Sequence, residues 1–232
     1  MNTRKHALAC AAALSLAAAP AAAQMMDSWY AGISAGQSRT DDGLVTNREN
    51  TIHGATNIGT DFDSSSSAWR VFGGWRFHPN LAMEANYMDF GKTTMDTRFV
   101  VPLGPTQAGK VFTDRKVHGF GIDLVGTWPV LEHFALLARI GCFRAETENT
   151  TTLSGDVVFS DGTPGTVRTN KSREHLGKVG FGLEWLISKE VNVRLEWERL
   201  ANAGKAFAPG ATGTTGEADV DAVTVGLVWR FR

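Results

Sequence analysis

The sequence predicts an all-β fold, an eight-stranded antiparallel up-and-down transmembrane β-barrel with short periplasmic turns and long extracellular loops. Three observations predict it. Strand-like segments recur at 29–39, 68–77, 81–90, 116–128, 134–146, 174–187, 191–200 and 219–231, each about the ten residues that a tilted strand needs to cross a bilayer. The connections between them alternate between short and long. All seven tryptophans fall in these segments, on the apolar parity of their strand.

The first 23 residues stand apart from the rest. MNTRK is basic, ALACAAALSLAAAPAAA is apolar, and small residues end the run at Ala23. That order reads as a secretory signal peptide over 1–23, with the barrel domain over 24–232 and mature Gln24 first. Without Arg4 and Lys5, 21 basic residues remain against 24 acidic ones, a net charge of −3. The balance is too weak and too dispersed for nucleic acid. Cys142 is the one cysteine outside the leader, so no intrachain disulfide can form in the mature chain,. No apolar run after the leader approaches the roughly 20 residues of a membrane helix, so any crossing is by strands.

Taking the strands in order, the connections are His78-Pro79-Asn80, PVLEH at 129–133 and Ser188-Lys189-Glu190 on one side. On the other side lie 40–67, 91–115, 147–173 and 201–218, rich in Gly, Thr, Ser and Asp. Loops of that length are unusual in a compact soluble domain, and the short–long alternation is the pattern of an outer-membrane barrel. Trp29, Trp75, Trp128, Trp185 and Trp229 lie toward the short-turn side, and Trp69 and Trp197 toward the long loops. Two levels of tryptophan fit an interfacial aromatic belt at each membrane surface.

Parity then assigns the faces. Val179, Phe181, Leu183, Trp185 and Ile187 oppose Lys178, Gly180, Gly182 and Glu184; Val223, Val225, Leu227, Trp229 and Phe231 oppose Thr224, Gly226, Val228 and Arg230. Arg or Lys at the lipid midplane costs about 2–4 kcal/mol, so the charged face points inward, where glycines leave room for long side chains. The expected interior ion-pair network comprises Arg76, Glu84, Asp123, Arg139, Lys178, Glu184, Arg194 and Glu196, with Arg230 nearby. If Trp128 faces Phe134, Asp123 falls opposite Arg139; if Ile187 faces Val191, Glu184 falls opposite Arg194. Charges withdrawn from water need such partners, and cross-strand positions supply them.

At this point a resemblance becomes specific. WYAGISAG (29–36), GGWRFHPNLAMEANYMDFGK (73–92), ARIG (138–141) and RLEW (194–197) resemble strands of the single-barrel outer-membrane proteins similar to outer membrane protein A and the opacity-type surface antigens. In that family, the residues matching Glu84, Arg139 and Glu196 belong to an interior ionic network that blocks or gates the lumen. Thr224, Gly226, Trp229 and Phe231 resemble the signal read by the outer-membrane assembly machinery, although Arg232 follows the aromatic that usually ends the chain. No segment matching the family's periplasmic peptidoglycan-binding domain follows the barrel, so a cell-wall tether is not expected.

Chemistry is sparse. His53, His78, His118, His133 and His175 are scattered without metal-ligand spacing, and no metal or other cofactor is expected. The glycines of GFG (119–121) and GKVGFG (177–182) open no helix, which excludes a phosphate loop. His175 and Glu174 are the one local pair that acyl-transfer chemistry could use. The expected role is a non-enzymatic outer-membrane component of a Gram-negative envelope, meeting outer-membrane lipids, the assembly machinery and a host or matrix ligand at its loops. The alternatives are an adhesin acting through those loops, a narrow pore, and a soluble periplasmic carrier barrel with an apolar interior.

Overall fold

The computed structural model describes residues 28–41, 45, 56–101, 107–155, 166–206 and 214–231. The leader 1–23, Gln24 and Arg232 lie outside the described residues. Among the described residues, nine strands form: β1 (Ser28–Thr40), β2 (Thr56–Asp63), β3 (Ser65–His78), β4 (Leu81–Val101), β5 (Gln107–Leu131), β6 (Phe134–Gly155), β7 (Val167–Leu186), β8 (Val191–Ala203) and β9 (Ala218–Phe231). All pair antiparallel. The order β4-β3-β1-β9-β8-β7-β6-β5 closes through β4–β5 into a ring of eight, and β2 adds to the outer part of β4.

The ring has the expected topology, but much of what composition assigns to loops is strand. β4 to β7 run for 20 to 25 residues each, so most of 91–115 and 147–173 continues the wall outward. Runs such as TENTTTL (147–153) are rich in β-branched threonine, which suits a pleated surface,. The 40–67 connection contributes β2, which takes over from β3 as the partner of β4. The change of partner falls at a bulge where Gly91 adopts a φ of +77°, its N–H donating to Asp89 Oδ1 at 2.8 Å. A Cβ there would meet Ser66 Oγ at 2.2 Å, so both conformation and space require glycine,.

The outward face is apolar along the middle of every ring strand. Ile33, Val71, Met83, Ile122, Ile140, Leu183, Leu195 and Leu227 all expose 40 % or more of their surface, which places lipid outside. Aromatic pairs mark both ends of this band. Trp29 stacks on Trp75 at 6.1 Å and Trp185 on Phe134 at 6.1 Å near the turns; Trp69 meets Tyr87 at 5.4 Å and Trp197 meets Phe181 at 4.9 Å on the opposite side. Trp229 is exposed, while Trp128 is half-buried and lies over Gly126, where a Cβ would meet its ring at 2.6 Å. Charge inside and an apolar band outside exclude the soluble carrier, whose ligand would need an apolar lumen.

Candidate functional site: a buried ion network along the barrel axis

The lumen side chains are the candidate site. Alternation along each strand delivers them inward, and glycines on the same face clear space; at Gly74 a Cβ would strike the Tyr30 ring at 2.2 Å. Arg70, Arg76, Arg139, Lys178, Arg194 and Arg230 meet Glu84, Asp123, Glu184, Glu196 and Glu198 inside, all buried. Six cations thus face five carboxylates.

Arg139 is the centre. Its Nη1 lies 2.9 Å from both Glu84 Oε1 and Asp123 Oδ2, and its Nη2 reaches Glu196. Glu84 is held from the other side by Arg194 Nη1 at 3.0 Å and by the Tyr30 hydroxyl at 3.1 Å. Toward the turns, Glu184 accepts from Arg194 Nε at 2.7 Å, from Asn192 at 2.8 Å and from Arg230. Toward the long strands, Arg70 donates to Glu196 and Glu198, while Lys178 Nζ sits 2.9 Å from Asp123 and Glu198 and 3.1 Å from Asn86 Oδ1. Arg76, also inside, donates to the Pro79 carbonyl at 3.0 Å and so fastens the turn.

One predicted pairing has a different register. Glu184 does oppose Arg194, but Asp123 opposes Gly141 and Arg139 opposes Val125. β5 runs on through Pro129 to Leu131 and turns tightly at Glu132–His133, with a bulge, so Trp128 faces Leu136 rather than Phe134. The two-residue shift makes Asp123 and Arg139 diagonal neighbours. They still touch because Gly141 leaves room: a Cβ there would stand 2.1 Å from Asp123 Oδ1.

Sequence reasoning missed Arg70 and Glu198, although both lie on the parity already assigned to Arg76 and Glu196. It also missed the neutral partners Tyr30, Asn86 and Asn192. Two apolar layers enclose the charges. Tyr30, Phe72, Ala82, Val125, Leu137 and Val228 cluster on the turn side, and a second cluster containing Met88, Phe90, Phe143, Leu200 and Val220 lies on the other. Arg194 and Arg70 also face aromatic rings of the turn-side layer, at 5.1 Å from Tyr30 and 4.5 Å from Phe72, contacts that favour a desolvated guanidinium.

Above the apolar band the chemistry changes. Residues 214–216 fold into the mouth: Asn149 donates to the Thr215 carbonyl at 3.1 Å, Asn170 to that of Thr214 at 3.2 Å, and the Ser172 and Thr215 hydroxyls meet at 2.9 Å. Arg115 lies buried beneath, donating to the Ala203 carbonyl at 2.6 Å, and burial pulls it down to about 10. Glu174 faces this mouth and burial raises its carboxyl, while His175 is exposed on the outer face. Adjacent strand residues point oppositely, so the pair considered for acyl-transfer chemistry is split by the wall. No cluster of potential metal ligands occurs among the described residues. Cys142 is exposed on the lipid face.

A closed antiparallel ring, apolar outside and ionic within, defines an eight-stranded outer-membrane barrel. The family model of the OmpA-like transmembrane domain matches residues 24–232, and the chain belongs to that family. It is 27% identical over 202 residues to outer membrane protein P5 of Haemophilus influenzae, a match covering 84% of this chain and 50% of that protein. It is 24% identical over 230 residues to outer membrane protein A of Klebsiella aerogenes, covering 98% and 55%. The chain therefore spans about half the length of the curated relatives it matches. Among solved structures, Neisserial surface protein A superposes with a TM-score of 0.49 at 12% identity, over 88% of this chain and 97% of that one. The fold stands on its own strand pairing rather than on that superposition.

Proposed function

We propose that this chain is a non-enzymatic outer-membrane barrel that supports the envelope, keeps its lumen closed to solutes, and presents its projecting strands for surface contacts. The observation that carries this reading is the sealed network: Glu84 bridged between Arg139 and Arg194, with apolar layers on both sides. A solute would have to separate paired charges and cross both layers, and unpairing one such buried charge costs several kcal/mol. The separation of Glu174 from His175 supports a role without acyl chemistry. In this reading the leader is removed near Ala23, lipids meet the outer band, and the assembly machinery engages β9. There Thr224 and Gly226 face inward while Trp229 and Phe231 face out.

Planar-bilayer recording tests closure. The expected result is no steady conductance for the wild type and brief openings for Arg139→Ala; steady wild-type conductance would instead favour the narrow pore. A second reading, adhesion to a host or matrix ligand, is favoured by the projecting sheet of β4 to β7, which carries alternating charges well beyond the lipid band. Cells whose barrels lack 93–114 or 148–171 should lose binding to such a surface while keeping folded barrel.

A further inference from the structure

Just above the apolar band, most outward cations on β4 to β9 have an acid across the strand. Lys116 pairs with Asp89 at 3.1 Å, Lys92 with Asp114 at 2.8 Å, Arg173 with Glu146 at 2.7 Å, and Arg199 with Asp221 at 2.7 Å. Arg144 does not. It is exposed, and its cross-strand neighbours are Phe120 on one side and His175 on the other, neither of which can neutralise it. It lines a cleft of about 250 Å³ with His118, Phe120, Glu146 and Arg173, and the His118 Nδ1 is buried without a hydrogen-bond partner.

Directly below, the surface turns apolar. Cys142 faces Gly177 across β6–β7, and a Cβ at Gly177 would touch nothing within 4 Å. The missing side chain leaves a slot continuous with the exposed Ile140 and Val179 of the lipid band. A guanidinium with no acid across the strand and an imidazole beside it, standing over an open apolar surface at the membrane edge, has the chemistry of an amphiphilic anion site. Arginine pairs with phosphate through two parallel N–H donors, and such charge-assisted bonds are about twice as strong as neutral ones.

We propose that Arg144 and His175, with His118 above them, bind the phosphate of a phosphorylated lipid of the outer leaflet, whose acyl chain lies in the Cys142–Gly177 slot. The site rests on the membrane placement argued above and assigns it a particular lipid class. It is built on β5, β6 and β7 alone, so it turns one side of the barrel toward such a lipid.

Native mass spectrometry of the purified, folded barrel with bis-phosphorylated lipid A as the probe tests this. Folding is read separately by the heat-dependent gel shift, which distinguishes a failed barrel from a failed site. Wild type should retain the phosphorylated lipid over its dephosphorylated form. Arg144→Gln should lower that retention about fivefold, the scale of one charge-assisted contact. Gly177→Phe, which the open space accommodates, should lower retention of both forms by filling the slot. Arg199→Gln, which removes a paired cation of the same rim, should leave retention unchanged. Equal retention by Arg144→Gln and wild type, or by phosphorylated and dephosphorylated lipid, would overturn the proposal.

Discussion

The same strands behave as two materials along their length. Within the membrane they carry charge on the inner face and hydrocarbon on the outer, and every inner ion is buried. Beyond it, β4 to β7 carry charges on the outer face as well, in exposed pairs such as Lys171–Glu148 and Lys110–Asp96. The backbone alternation does not change; the solvent outside does. An acid–base pair in the lower region is forced by the absence of water, whereas one in the upper region is a modest gain on a surface that water already satisfies.

Substitutions that break this contrast should therefore differ in size. Arg139→Met leaves Glu84, Asp123 and Glu196 around an empty centre and should cost about 3–5 kcal/mol, the penalty for stranding buried charge, measured by urea unfolding in lipid vesicles. Leu183→Arg carries charge onto the lipid face and should cost about 2–4 kcal/mol in the same assay. Gly141→Val pushes Asp123 away from Arg139 and should cost about 1–3 kcal/mol through overpacking. Lys171→Ala, in the upper region, should change stability by about 0.5 kcal/mol or less. Equal losses for Arg139→Met and Lys171→Ala would erase the distinction.

The smallest effect concerns pH. The raised carboxyl of Glu174 disfavours its charged form in the folded mouth. Its protonation therefore adds stability there as pH falls through the raised value, and that gain is absent at neutral pH. Hydrogen exchange at Thr215 and Gly216 should slow between neutral and mildly acidic pH more than intrinsic exchange predicts, and Glu174→Gln should remove the difference.

Parity carried most of what the sequence could show. In β7 and β9 the apolar and charged faces separate cleanly, so lipid and lumen were legible without coordinates. Register was legible only where the turn was. The three residues at 188–190 leave little choice, and Glu184 opposite Arg194 followed. The 129–133 turn permits a tighter closure through a bulge, and the bulge moved Asp123 by two positions. The upper strands were hidden because Thr, Ser and Gly read as loop when no apolar face is present to show the period of two. Arg70 and Glu198 were legible by the rule that found Arg76 and Glu196; Tyr30, Asn86 and Asn192 were not, since neutral polar groups declare a buried role only once their neighbours are known.

The ring does not end level. Among the described residues, β7 pairs with β8 only from Lys178 inward, while its outer stretch continues with β6 alone. Above the bilayer the described strands consequently form an uneven wall, with residues 214–216 leaning toward its inner face. Such a shape has a front and a back in the plane of the membrane, so its neighbours and anything landing on it must respect a compass direction that a symmetric cylinder would lack.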